Sequence, residues 1–187
     1  MILVGSLQKG LGAFGAFIAG SETLIDLLRV TSKTYIFSGT LQPQAVDGAL
    51  AAIEISRSEE GKQLRSDLYK KSQLIRNELS ALRYKVLDAK GNSPIISVEM
   101  GSDLRTLMAG KTIFDNGIYL NSVVYPAVPK NNGILRISLN SVHSDEDIKS
   151  LLDAFKMLRT ELDNNFNSLT ENFSYFLRIA RSKLGRN

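Results

Sequence analysis

Gly5-Ser6-Leu7-Gln8-Lys9-Gly10-Leu11-Gly12-Ala13-Phe14-Gly15 is the stretch on which the reading of this chain turns. It follows a short apolar run, Ile2–Val4, read as a buried strand. It precedes a second, Ala16-Phe17-Ile18-Ala19, that also looks extended. Gly10-x-Gly12-x-x-Gly15 has the spacing of a dinucleotide-binding loop. That motif must open a helix after a strand and needs an acidic residue ending the next strand. Here the glycines lead into an apolar extended run, and no suitable acid follows. Ser6-x-x-Lys9 has the spacing of the serine–lysine element of penicillin-binding enzymes, but neither Ser-Asp-Asn nor Lys-Thr-Gly occurs in the chain. Gly110-Lys111-Thr112 fails as a phosphate loop because Arg105 stands where a glycine is required.

What remains is Lys9 itself. A lysine on a glycine-flanked turn at a strand end can present its amine to a cleft. Desolvation favours the neutral form of an amine, which is the nucleophile in imine formation. Ser6 offers a hydroxyl to an anionic group, and the small residues allow close backbone approach to a ligand. Local composition by itself favours the plainer alternative, a solvated lysine in a glycine-rich loop.

The rest of the chain narrows the chemistry. Its 187 residues are 43% hydrophobic and 22% charged, ordinary globular material long enough for a sizeable core. With no cysteine, disulfides, thiolate metal sites and cysteine nucleophiles are excluded. The single histidine, His143, argues against a histidine-based metal site or a Ser-His-Asp triad, and its place in a His-Ser-Asp-Glu helix start makes it a cap-region residue. No run of eighteen apolar residues occurs, and the start lacks the features of a signal peptide, so a cytoplasmic location is expected. The net charge is +4, of which Arg178, Arg181, Lys183 and Arg186 against Glu171 supply +3 in residues 166–187. An excess confined to one tail does not support nucleic-acid binding.

Periodicity then orders the elements. Ser21 is the expected cap of a helix carrying Leu24, Ile25, Leu27 and Leu28, and Thr34–Phe37 reads as extended. A helix follows Pro43 to about Ser56. Leu64, Leu68, Leu74, Ile75, Leu79 and Leu82 mark a long amphipathic helix over 58–83. Strands are expected at Ile95–Met100, Ile118–Val124 and Leu135–Leu139, with a helix from about Asp103 to Asp115. A last helix begins at Ser144-Asp-Glu-Asp147 and presents Ile148, Leu151, Leu152, Phe155 and Leu158 on one face. The fold class is α/β, and residues 84–162 read as a small C-terminal α/β domain.

Four segments in order carry a resemblance. Val4-Gly5-Ser6-Leu7-Gln8-Lys9-Gly10-Leu11-Gly12 runs into Gly15-Ala16-Phe17-Ile18-Ala19-Gly20-Ser21. Phe37-Ser38-Gly39-Thr40-Leu41-Gln42-Pro43 comes next, then Ser93-Pro94-Ile95-Ile96. Pro126-Ala127-Val128-Pro129 leads to Leu135-Arg136-Ile137-Ser138. The series resembles the α-oxoamine synthases, a family of fold-type I pyridoxal-phosphate enzymes, over residues 2 to about 160. Serine at 6 replaces the family's usual threonine and keeps the hydroxyl. Gln8 and Gln42 stand where serine and proline are usual, which leaves the subfamily open.

The resemblance implies roles. Lys9 would hold pyridoxal 5'-phosphate as an internal aldimine and shuttle the α-proton. Ser6 would contact the cofactor phosphate, and Ser38 and Thr40 would reach the phosphate in a neighbouring subunit. Arg136 would grip the carboxylate of an amino-acid substrate, a task its planar fork suits. The parent activity would be condensation of that amino acid with an acyl-CoA to an α-amino ketone, in a homodimer. Residues 1–57 would be the remnant of the cofactor-binding large domain, and 163–187 an amphipathic basic helix whose membrane attachment is the less favoured option. The family's ring-stacking group and ring-nitrogen aspartate lie upstream of the lysine, so this chain alone is expected to be inactive, or complemented by an N-terminal half. The alternatives are a non-catalytic fragment or dimerisation module, and an aminotransferase of the same fold type.

Overall fold

The structure, a computed structural model, describes residues 1–161. The tail expected to form a basic helix over 163–187 lies outside the described residues. The chain divides into two units, Met1–Leu64 and a second beginning at Arg65.

The first unit opens with β1 (Leu3–Ser6) and β2 (Ala16–Ala19), an antiparallel pair with Leu3 opposite Ala19 and Ser6 opposite Ala16. Then comes α1 (Glu22–Thr31), started as expected by Ser21, whose Oγ accepts the Leu24 N–H at 3.4 Å. Thr34–Phe37 is not extended. It lies largely in a short helix, α2 (Lys33–Ile36). The cause is local: Ser32 closes α1, and its Oγ accepts the Tyr35 N–H at 3.4 Å, starting a new helical turn against the strand preference of the side chains. Next, α3 (Pro43–Arg57) begins with proline at its first turn, where the missing N–H costs nothing. It ends at Ser58, and α4 (Glu59–Ala81) follows. The junction is tight enough that a Cβ at Gly61 would overlap the Ile55 carbonyl oxygen and the Ser56 backbone.

The boundary between units falls inside α4 because the second unit's core draws on it. Ile75 and Leu79 of α4 are fully buried in that core. β3 (Lys85–Val86), β4 (Ile95–Gly101), β5 (Asn121–Val123) and β6 (Gly133–Ser138) form an antiparallel sheet of order β3-β4-β6-β5. Ile96, Val98 and Met100 of β4 and Leu135 and Ile137 of β6 point inward, alternating with Ser97, Glu99, Arg136 and Ser138. Helix α5 (Asp103–Asp115) contributes Ala109 and Ile113 to the same core. A final helix, α6, occupies 145–161 and adds Ile148, Leu151, Phe155 and Leu158. Phe155 meets Tyr84 edge-on, with ring centroids 5.2 Å apart, and the Tyr84 hydroxyl donates to the Phe155 carbonyl at 2.9 Å.

β5 is shorter than the expected Ile118–Val124 because the closing of α5 uses the residues before it. Gly117 N–H bonds to the Phe114 carbonyl and Ile118 N–H to that of Ile113, with Gly117 at φ 83°. The two-residue β3 had no signal in the sequence. Arg76 is a further surprise, a guanidinium buried to 1% exposure. It donates to the carbonyls of Asp88 (2.8 Å), Ser93 (2.7 Å), Ile95 (3.2 Å) and Ser72 (3.3 Å), fastening the 88–95 segment to α4.

Candidate functional site

Lys9 sits in the turn that joins β1 to β2. The turn is built by its own backbone: Leu7 N–H bonds to the Gly15 carbonyl and Ala13 N–H to the Leu7 carbonyl, both at 2.9 Å, and Gly12 N–H to the Lys9 carbonyl at 3.1 Å. Gly12 (φ 59°) and Gly15 (φ 121°) supply the left-handed conformations this path requires. Ser6 ends β1, and its Oγ accepts the Gln8 N–H at 3.3 Å, fixing the chain just before Lys9. The turn therefore brings Ser6 and Lys9 into one hairpin. The Lys9 side chain is exposed, and among the described residues no carboxylate lies within ion-pairing distance of its amine.

Ser38 and Thr40 lie in the connection between α2 and α3 and are exposed. Arg136 belongs to the second unit, on the outward face of β6. The structure thus places the five candidates on three separate pieces of backbone: the β1–β2 hairpin, the α2–α3 connection and β6.

Around Arg136 the second unit forms an open cleft of about 640 Å³, lined also by Tyr119, Asn121, Ser138, His143 and Asp147. Asn121 stands opposite Arg136 in the β5–β6 register, and its Oδ1 accepts from Arg136 Nη2 at 3.3 Å. The acid of the cleft is occupied elsewhere. Asp147 Oδ2 accepts the Ser144 N–H at 2.7 Å and the Ser144 hydroxyl at 2.9 Å, while Ser144 Oγ accepts the Asp147 N–H at 3.1 Å. This reciprocal cap starts α6. The Ser144 backbone bond, then its hydroxyl, holds the Asp147 carboxyl below the usual range, with His143 and Lys71 adding smaller attractions. His143 is indeed a cap-region residue: its Nδ1 accepts the Asn140 N–H at 3.0 Å. Lys71 of α4 donates to the carbonyls of Ser141 (3.0 Å) and His143 (2.6 Å), pinning this loop beside the cleft.

Asn121 and Asp147 are among the cleft residues that sequence reasoning passed over as site candidates. Asp147 was legible only as a cap. Asn121 is one of two adjacent polar residues, with Ser122, in an otherwise apolar run, and its meaning depends on a strand register that no local pattern states.

Residues 1–155 match the family described as aminotransferase class I and II. A curated relative, 8-amino-7-oxononanoate synthase of Saccharophagus degradans, is 32% identical over 167 residues, which cover 89% of this chain and 41% of the relative. The solved serine palmitoyltransferase of Sphingomonas wittichii superposes with a TM-score of 0.75 at 26% identity, covering 84% of this chain and 39% of that one. A structure of SPT with PLP internal aldimine shares the fold, with a TM-score of 0.78 at 22% identity over 87% of this chain and 40% of that one. The chain spans about 41% of the length of the first of these relatives.

Proposed function

Because the chain belongs to the aminotransferase class I and II family, we propose that it is the part of a pyridoxal-phosphate acyltransferase that carries the cofactor-linking amine and the grip for the substrate carboxylate. The observation that carries this reading is Lys9, presented on a glycine-built hairpin turn one strand end away from the Ser6 hydroxyl. A primary amine free of any described carboxylate partner, on the same hairpin as a hydroxyl, is a donor set that suits an aldehyde bearing a phosphate. When bound, pyridoxal phosphate supplies the electron sink that lets the Cα–H bond of an amino acid break.

In this proposal Lys9 Nζ holds the cofactor and then takes and returns the α-proton. The Ser6 hydroxyl donates to the phosphate, and Ser38 and Thr40 do so across a homodimer interface. Arg136 directs its N–H groups at the substrate carboxylate, a planar anion matched by a planar fork. The substrates are an amino acid and an acyl-CoA, condensed to an α-amino ketone; the synthase and palmitoyltransferase relatives support that choice over transamination. A cytoplasmic location belongs to the same proposal. Among the described residues no helix is long and apolar enough to cross a membrane.

The test is binding, measured apart from turnover. The purified chain, alone and mixed with an N-terminal half, is titrated with pyridoxal phosphate in wild type and Lys9→Ala. A yellow imine absorbance that appears in wild type and vanishes in Lys9→Ala is expected. Absence of a Lys9-dependent band in both settings overturns the assignment.

A second reading, a non-catalytic assembly module, is favoured by the surface of the first unit. Phe14, Val30 and Phe37 are 68%, 72% and 85% exposed. Large apolar side chains exposed to this degree suit a surface that other polypeptide covers. If assembly is the whole function, Lys9→Ala leaves self-association and partner binding unchanged.

A further inference from the structure

We propose that Asn121 is a positioning residue for substrate recognition: its side-chain amide aims the Arg136 guanidinium into the cleft without neutralising it. The inference deepens the reading of Arg136 as the carboxylate grip and rests on it.

β5 pairs antiparallel with β6 so that Asn121 lies directly opposite Arg136, and residues opposed in this way stand side by side on the same face of the sheet. The resulting contact is one hydrogen bond, from Arg136 Nη2 to Asn121 Oδ1 at 3.3 Å. Arg136 is exposed, and an exposed arginine has much rotamer freedom to lose on gripping an anion. A hydrogen bond formed beforehand removes part of that loss from the binding step.

The chemical type of the partner matters as much as its position. A carboxylate at 121 would anchor the guanidinium more strongly, but it would cancel the charge that an incoming anion must meet. The amide oxygen orients the group and leaves its charge intact. The cleft's own acid does not interfere, because Asp147 Oδ2 is occupied by the N–H and hydroxyl of Ser144. Among the described residues no carboxylate lies within ion-pairing distance of Arg136. The result is an oriented cation with N–H groups to spare, facing a cleft of about 640 Å³. Its fitting ligand is one small planar anion, the α-carboxylate of an amino acid.

The experiment uses the full chain and L-alanine as probe, followed by proton–nitrogen correlation spectra that include arginine side chains. Wild type should show L-alanine-dependent shifts at Arg136 and along β6. In Asn121→Ala the affinity falls about fivefold, the scale of one lost hydrogen bond. The Arg136 guanidinium signals also broaden as the group rotates freely, while the melting temperature stays put. Asn121→Asp keeps those signals ordered yet loses L-alanine binding. Wild-type affinity in Asn121→Ala, or binding in Asn121→Asp as tight as wild type, overturns the positioning role and leaves Arg136 in place. Binding that is absent in wild type, or undiminished in Arg136→Met, overturns the carboxylate grip and the positioning role with it.

Discussion

Replacing Arg76 by methionine tests whether the second unit is held by a cation among carbonyls. Methionine roughly conserves the buried stem and removes the charge, so it spares the cost of desolvating a guanidinium. For a buried ion pair such a swap, made at both partners, is often neutral or stabilising. Here the partners are backbone carbonyls, which no substitution removes. The Asp88 carbonyl keeps a second donor, Gly91 N–H at 3.1 Å, and Ser72 lies within the same helix. The carbonyls of Ser93 and Ile95 lose the donor that reaches them from Arg76. A buried acceptor left without its donor costs on the order of 1–3 kcal/mol. The two acceptors here are part-buried, so with partial rescue by water they give together about 2–3 kcal/mol for Arg76→Met. With a urea slope of roughly 1.5 kcal/mol/M, the midpoint drops by about 1.3–2 M. Arg76→Lys should fall at least as far, since an ammonium is more strongly hydrated and lacks the fork that spans separated acceptors. The assay is urea unfolding by circular dichroism, with amide exchange at Val98 and Leu135 as reporters of β4 and β6. Arg76→Met within about 0.5 kcal/mol of wild type, at the level of an ordinary surface change, would refute the reasoning: the carbonyl cage would then be incidental.

Two further outcomes follow from local geometry. Gly48 and Gly61 form a matched pair in helices: a Cβ at 48 meets nothing within 4 Å, while one at 61 overlaps backbone. Gly48→Ala should therefore stabilise by about 0.5–1 kcal/mol, and Gly61→Ala should destabilise by about 1–3 kcal/mol; equal shifts in urea midpoint would contradict the tight α3–α4 junction. Asp147 offers a pH test. Its carboxyl is held below the usual range by Ser144, so its stabilising contribution is complete above the ordinary carboxylate pKa of about 3.9. That contribution is lost as pH falls through the depressed value. The Ser144 amide proton should titrate below an unperturbed aspartate and become flat in Asp147→Asn; a midpoint at the ordinary value would discredit the cap.

The elements legible from the sequence are those whose boundaries are set by near neighbours. Helix α5 runs from Asp103 to Asp115 as expected, because Ser102 Oγ caps it at Arg105 N–H and Gly117 lets the chain leave. The alternation in Ile95–Met100 announces β4, with every second side chain buried. Illegible were features whose cause lies far along the chain. Arg76 reads as one charged residue on a polar helix, and only the return of 88–95 makes it a core residue. Asn121 acquires a role only when β6 lies beside it. Thr34–Phe37 failed in the opposite direction, since one serine cap outweighed four residues of strand propensity.

The same contrast separates Lys9 from Arg136. Lys9 is positioned by three backbone hydrogen bonds within residues 7–15, so its presentation is a property of the hairpin. Arg136 is positioned by a strand whose reverse face packs Leu135 and Ile137 into a core shared with Phe155 and Ile75. Damage to that core should disturb the carboxylate grip proposed for Arg136 and leave the hairpin's own geometry alone. Around Lys9 the burial is different: Ala13 and Ala49 are the hydrophobic residues of the first unit that are buried. An amine whose turn is self-supporting, in a unit that buries so little, depends on covering polypeptide for the desolvation that the proposed imine chemistry needs. Binding of pyridoxal phosphate at Lys9 should accordingly tighten when the exposed faces bearing Phe14 and Phe37 are covered. The amino-acid contact proposed at Arg136 requires no such cover, because the second unit closes its own core.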